Sequence, residues 1–245
     1  MPKSGSHLII QVLQGLTKIG PFVNPGFPPV NRSENNNKLS DEQILMNLKR
    51  LRPGDIAYGY IKAAAPFTTV LTEMGRAVIF VYRDPRDMII SHVFYATQMH
   101  TGHGMHNYYT EKLSTMEERI DAAIQGVQEP SFELSPIQDK FEAYLGWLKT
   151  PGVLCLRFED LIIDQQKTIG KILDYLSQRG FKLTIKRHLA IKALQQAVAP
   201  KRSGTFRKGQ PGNWREHFTE HNKAFFKKQT GDLLIRMGYE KNYDW

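Results

Sequence analysis

Residues 78–94 read VIFVYRDPRDMIISHVF. With Ala77 in front, the run 77–82 (AVIFVY) lacks the polar alternation of a half-exposed strand, so it predicts a strand covered on both faces. Arg83-Asp84-Pro85-Arg86-Asp87 closes that run and opens a helix predicted over 86–98, with proline in the first turn where its missing N–H costs nothing. In open α/β sheets ligands gather beyond the carboxyl ends of strands. Arg83 therefore stands where a guanidinium fork could meet a phosphate, and Ser91 could add a hydroxyl. An Arg–Asp surface network with a helix-starting proline is the competing reading of the same residues.

Outward from this stretch, two further apolar runs read as buried strands, 55–61 (DIAYGYI) and 153–158 (VLCLRF). Helical patterns alternate with them. Ser40-Asp41-Glu42-Gln43 is a capping box ahead of Ile44, Leu45, Leu48 and Leu51. A Ser114/Glu117 box opens a helix predicted over 114–126, Ser135-Pro136 opens one over 136–149, and 164–179 carries Ile169, Ile172, Leu173 and Leu176 on one face before Gly180. Strands alternating with helices predict an α/β fold with a central parallel sheet flanked by helices. Residues 19–39, with four prolines, two glycines and a run of asparagines, form a long loop suited to lining a ligand site.

Composition sets bounds on function. The chain has 245 residues, 41% of them hydrophobic, enough for one generous domain or two small ones. No apolar run approaches the roughly 18 residues of a membrane span, and the first residues do not resemble a signal peptide. One cysteine, Cys155, excludes an intrachain disulfide framework and points to a reducing, cytoplasmic setting. Lysine and arginine number 33 against 24 acidic residues, a net charge of +9, which suits an anionic partner. The cations cluster at loops rather than along one helix or an aromatic strand, which argues against nucleic acid.

Two more segments look built for anions. Pro2-Lys3-Ser4-Gly5-Ser6-His7 is a small, basic turn running into Leu8-Ile9-Ile10, and a glycine turn feeding a helix gathers N–H groups at a positive dipole end. It is not a G-x-x-x-x-G-K-[ST] loop, because its lysine precedes its only glycine. Near the other end, residues 203–219 read SGTFRKGQPGNWREHFT, with Arg207-Lys208 beside Gly209 and Gly212. Each segment alone could be an ordinary basic turn.

Taken in order, the three segments resemble the PAPS-dependent sulfotransferases, in a bacterial branch similar to the cytosolic enzymes. That family has a PKSGT-type loop, an R-[DN]-x-x-D-x-x-x-S segment and an R-K-G-x-x-G-x-W-[KR] segment. Here they read Pro2–Ser6, Arg83–Ser91 and Arg207–Arg215, and Phe158-Glu159-Asp160 resembles a fourth landmark. The resemblance implies a single domain over 1–245 with the family's P-loop-like nucleotide-binding fold. It also implies that a strand normally precedes the first loop, and none is evident before Pro2.

The resemblance further implies a donor, 3′-phosphoadenosine 5′-phosphosulfate (PAPS), that leaves as PAP. Lys3, Ser4, Gly5, Ser6, His7 and Leu8 would cradle its 5′-phosphosulfate. Arg83 and Ser91, joined by Arg207, Lys208 and Gly209, would bind its 3′-phosphate. The acceptor would be a small molecule offering a hydroxyl in preference to an amine, Lys3 would neutralise charge on the leaving oxygen, and no metal would be needed. The family's general base is a histidine following a glycine. Aligning Gly59 puts Tyr60 at that position, while aligning through Pro66 puts Ala64 there, and a phenol is a far weaker base than an imidazole at neutral pH.

Three consequences stay open. The chain binds donor with impaired or lost turnover; another histidine serves, among His100, His103 and His106; or the acceptor needs little help. The H-x2-H-x2-H spacing of those three also admits zinc, against loop histidines with no fixed helix face. His188, His217 and His221 read as surface residues, and Trp214 as a core residue rather than a base-stacking one. The family's dimerisation signature falls near 215–224, where Thr219 matches but Glu220 and Ala224 do not, leaving the oligomeric state open.

Overall fold

The computed structural model describes residues 3–24, 26, 29–73, 75–199 and 209–245. In chain order the first elements are α1 (Ser6–Gly15), α2 (Asp41–Arg50), α3 (Phe67–Thr72), β1 (Val78–Tyr82), α4 (Pro85–Phe94) and α5 (Met116–Gln125). A short hairpin of β2 (Val127–Glu129) and β3 (Phe132–Leu134) leads to α6 (Ile137–Leu145), and β4 (Val153–Arg157) to α7 (Phe158–Ile163) and α8 (Gln165–Gln178). The described chain closes with α9 (Arg187–Ala197), α10 (Glu220–Thr230) and α11 (Leu233–Arg236). These elements form two compact units, each made of two separate pieces of chain: Met1–Tyr82 with Gly146–Phe206, and Arg83–Leu145 with Arg207–Trp245.

The first unit is the α/β one. β1 and β4 pair in parallel, from Val78 opposite Val153 to Tyr82 opposite Arg157. The core joins Val81 and Leu156 of these strands to Leu8, Ile9, Val12 and Leu16 at the chain's start and to Ala190, Ile191 and Leu194 of α9. α8 contributes Ile169, Ile172, Leu173 and Leu176, the face expected from its spacing. Tyr175 ties α8 to both strand entrances, its hydroxyl accepting from the Val78 N–H at 2.7 Å and donating to the Gly152 carbonyl at 2.9 Å. α2 starts at the expected box, with the Gln43 N–H on Ser40 Oγ at 3.2 Å and the Ser40 N–H on Gln43 Oε1 at 3.0 Å. Its Ile44 and Leu48 pack with Phe67 and Val70 of α3 and with Val30.

The expected strand at 55–61 is absent. The segment is extended and lies on the proline-rich loop, with one bridge between Val23 and Asp55. The Ile56 N–H reaches the Val23 carbonyl at 2.8 Å and the Val30 N–H reaches the Tyr58 carbonyl at 2.9 Å. Prolines lack the donor that a ladder needs, and the loop turns away at Arg32–Asn36, so among the described residues pairing is limited to single bonds.

The second unit is helical around a small hairpin, in which β2 and β3 pair antiparallel. α4 is buried nearly all round, from Pro85 through Val93, and ends in a wider π turn at Tyr95–Met99 rather than as the uniform helix expected to 98. α5 is capped one residue later than the spacing suggested: Thr115 and Glu118 form the box, and the Ser114 N–H also donates to Glu118 Oε2 at 2.7 Å. α10 packs on α5, where the Asn222 amide donates to Asp121 at 2.8 Å and to the Glu117 carbonyl at 3.2 Å. Phe226, Leu233, Leu234 and Met237 are buried, while Phe225 is half-buried. Among the described residues no helix is long and apolar enough to cross a membrane.

Candidate functional site

In the first unit the chain enters α1 through a strained turn. Lys3 sits at φ 59° and Gly5 at φ 80°, both in the left-handed region, and Gly5 is the N-cap of α1. The Leu8 and Ile9 N–H groups fold back onto the Gly5 carbonyl at 2.9 and 3.2 Å. The remaining amides of the first turn lie at the positive end of the helix dipole, the arrangement that favours an anion. Ser4 is buried, Ser6 half-buried and His7 exposed, while the Leu8 side chain belongs to the core. Burial pushes the Lys3 ammonium down to about 8, because losing water penalises its charged form.

Two features favour glycine at position 5. Its φ suits a residue without a Cβ, and a Cβ there would stand 2.1 Å from Cδ2 and 2.6 Å from Cε2 of the Phe158 ring. The loop and the Phe158 ring just beyond β4 are thus in direct contact.

Tyr60 reaches the same loop. Its hydroxyl is 3.1 Å from Ser6 Oγ, and its N–H donates to Asn31 Oδ1 at 3.1 Å. The following carbonyl, of Ile61, accepts from Trp147 Nε1 at 2.8 Å, so the segment is pinned on both sides of Tyr60. Ala64 is exposed and offers no chemistry. Lys62 is engaged with Asp41 at 2.6 Å, so its charge is matched there.

In the second unit Arg83, Asp87 and Ser91 follow one another at four-residue steps, which places them on one side of α4 and its entry. Asp87 is 1% exposed and holds a turn of the C-terminal segment: its Oδ2 accepts from the Gly212 N–H at 2.7 Å and its Oδ1 from the Trp214 N–H at 2.9 Å. Arg83 Nη2 lies 3.8 Å from the same carboxylate. Desolvation pushes the Asp87 carboxyl up, against the pull of Arg83 and of the two amides.

The Arg–Asp network is buried rather than superficial. Arg86 is 2% exposed, with Nη2 on Asp84 at 2.7 Å and Nη1 on Glu240 at 2.6 Å. Its guanidinium lies 3.9 Å from the Trp214 ring and 4.4 Å from the Trp245 ring. Trp214 is therefore a core residue, as expected. Gly209 and Gly212 take φ 64° and 80°. Arg207 and Lys208, like Pro2 and Phe27, lie outside the described residues.

The histidines resolve differently from a loose loop. The His106 ring bonds the Ala96 carbonyl through Nδ1 at 2.8 Å, and His103 Nδ1 accepts the Met105 N–H at 3.1 Å. His103 packs edge-on against His92 at 5.3 Å and Tyr95 at 5.7 Å. Among the described residues, no three or more His, Cys, Asp or Glu side chains are grouped to hold a metal ion. His217 is half-buried against Phe94 at 5.2 Å rather than on the surface, whereas His221 is largely exposed and pairs with Asp121 at 2.7 Å.

The sequence profile of the sulfotransferase domain matches residues 65–238, a span holding Arg83, Ser91 and the Gly209–Trp214 turn but starting downstream of Lys3 and Tyr60. The chain belongs to the sulfotransferase family. The chain is 28% identical over 169 residues to a 3-alpha-hydroxysteroid sulfotransferase of Cavia porcellus, covering 62% of this chain and 53% of that protein. A 3-beta-hydroxysteroid sulfotransferase of the same animal is 24% identical over 173 residues, 63% of this chain and 56% of its own. The chain thus spans about half the length of the curated relatives it matches. Among solved structures, mouse sulfotransferase SULT7A1 complexed with PAP aligns at TM-score 0.64 and 17% identity, covering 98% of this chain and 84% of that one. Retinol dehydratase in complex with androsterone and inactive cofactor PAP aligns at 0.59 and 15%, covering 95% and 78%. At these identities the likeness establishes the fold.

Proposed function

We propose that this sulfotransferase, working as one domain over 1–245, transfers a sulfuryl group from PAPS to a hydroxyl of a small organic acceptor and releases PAP. The observation that carries this reading is the loop of Lys3–Leu8 with the Tyr60 hydroxyl 3.1 Å from Ser6 Oγ: an anion cradle with a proton-bearing group against it. The residues present suit such a donor. Lys3, Ser4, Gly5, Ser6, His7 and Leu8 would hold the 5′-phosphosulfate through backbone amides and the Lys3 ammonium. Arg83, Ser91 and Gly209, with Arg207 and Lys208, would hold the 3′-phosphate. When bound, the donor supplies the activated sulfur; the acceptor oxygen bonds to it as the bond to the leaving phosphate oxygen breaks.

Lys3 would meet the charge that develops on that leaving oxygen, and its poor solvation strengthens the interaction. The acceptor proton must also go somewhere, and a phenol is a weak base for it. The Tyr60 position therefore favours a second reading in which donor is held well and turned over slowly.

Two measurements test both readings. PAP at 100 times its dissociation constant stabilises a folded protein by about 2.7 kcal/mol, which for a chain of this size raises the melting midpoint by about 5–10 °C. No shift would overturn the donor assignment. PAPS turnover with phenols, alcohols and amines should then rise by about 10²-fold or more in Tyr60→His, the usual scale of a restored general base. An unchanged rate would remove Tyr60 from the base position.

A further inference from the structure

Asp87 is a buried carboxylate with an unusual set of duties. Both of its oxygens accept backbone N–H bonds, from Gly212 and Trp214, while Arg83 sits 3.8 Å away. A turn held only for stability can use a neutral acceptor, which avoids the cost of burying a charge. A charged one is shorter-ranged in geometry and stronger, and it also balances a neighbouring cation. Here the one carboxylate accepts from both amides at the exit of the Gly209–Gly212 turn and also lies beside the Arg83 guanidinium.

Gly209 and Gly212 both take positive φ values that few other residues tolerate, and each glycine on its own has a wide choice of backbone conformation. Anchoring the amides at 212 and 214 removes most of that choice. The neighbouring Arg86 seizes the same turn differently, through the face of the Trp214 ring at 3.9 Å. Arg86 is matched by Asp84 and Glu240 inside the core, whereas Asp87 faces the arginine assigned to the donor.

We propose that Asp87 is a positioning residue for the 3′-phosphate of the donor, orienting Arg83 and the Gly209 turn together while touching no ligand itself. This rests on the reading that Arg83 and Gly209 face that phosphate. An arriving phosphate shares the Arg83 charge, and Asp87 keeps its two amide bonds throughout, so neither the arginine nor the turn has to be reorganised on binding.

The test compares PAP with adenosine 5′-monophosphate, which lacks only the 3′-phosphate, by calorimetric titration of the whole chain and of Asp87→Asn. Asparagine keeps one acceptor oxygen, puts an NH2 against the other amide and removes the charge beside Arg83. The expected result is a tenfold or greater loss of PAP affinity with the monophosphate affinity unchanged within twofold. Equal losses for both ligands, or no loss for either, would overturn the proposal in favour of a general scaffold role. If the native chain binds both ligands equally, the 3′-phosphate assignment fails and takes this proposal with it; if it binds neither, the donor reading itself is wrong. Should Asp87→Asn not yield folded protein, Asp87→Glu carries the test, because its carboxylate is displaced by one methylene. There the PAP preference should drop threefold or more, and a native preference would overturn the proposal.

Discussion

Replacing Gly5 by alanine puts the proposed donor loop under a defined strain. Alanine in the left-handed region costs about 1–2 kcal/mol, yet Lys3 already occupies that region two residues earlier, so φ alone does not forbid a side chain. The larger obstacle is Phe158, whose ring would lie 2.1 Å from the new methyl carbon and is itself buried at 6% exposure. Forcing a methyl into such a space costs about 1–3 kcal/mol. The sum, about 2–5 kcal/mol, should lower the melting midpoint by about 4–20 °C at the roughly 2–4 °C per kcal/mol of a chain this long. Because the loop has to shift to relieve the contact, PAP affinity should fall at least tenfold, about 1.4 kcal/mol. The clash is separable from the φ cost by a double-mutant cycle with Phe158→Ala. That change alone should cost about 3–5 kcal/mol, and combined with Gly5→Ala it should show about 1–3 kcal/mol of favourable coupling, the overpacking relieved. An unaltered midpoint in Gly5→Ala, or strict additivity in the pair, would refute this account of the loop.

Two further outcomes follow from buried cations. Lys3 must be protonated to attract an anion, and its ammonium is held down to about 8, so PAP affinity should be level from about pH 7 up to that value and fall as pH rises through it, by up to tenfold per unit. Lys3→Arg should flatten this profile, and a flat profile in the native protein between pH 7 and 10 would contradict it. Arg86→Met should leave Asp84 and Glu240 without their shared cation, a loss of about 3–5 kcal/mol, and a native denaturation midpoint in that variant would rule out the assigned anchoring role.

Much of the fold was legible because its signals are local. Val78–Tyr82 and Val153–Arg157 are short β-branched or apolar runs that pair with each other, and the α8 stripe of Ile169, Ile172, Leu173 and Leu176 faces the core as spaced. The segment 55–61 has the same apolar character but a different neighbour, a proline-rich loop unable to sustain a ladder. Composition of one segment says nothing about which partner it meets. Thr115 displaced Ser114 as a cap because serine and threonine, each with a glutamate three residues on, offer equivalent chemistry and only the chain's entry path chooses between them. At the candidate site, charge types were readable but burial was not. Arg86 and Asp87 look like surface residues in sequence, and their enclosure by Trp214, Trp245 and the Gly212 turn depends on contacts more than a hundred residues apart. The Tyr60–Ser6 contact, across 54 positions, is likewise a product of the fold.

The interleaved construction of the two units also has a price during synthesis. β1 finds its mate only when β4 emerges about 75 positions later, as the Tyr82–Arg157 pair shows. At about 5–20 residues per second, the strand waits roughly 4–15 s with its hydrogen-bonding edge and apolar side chains unmatched. Unpaired strand edges are templates for self-association, so the nascent chain is most vulnerable while Arg83–Leu145 is being made. Lower growth temperature and holdase capacity should therefore govern yield more than the stability of the finished molecule, and an early stop within that insert leaves β1 without β4.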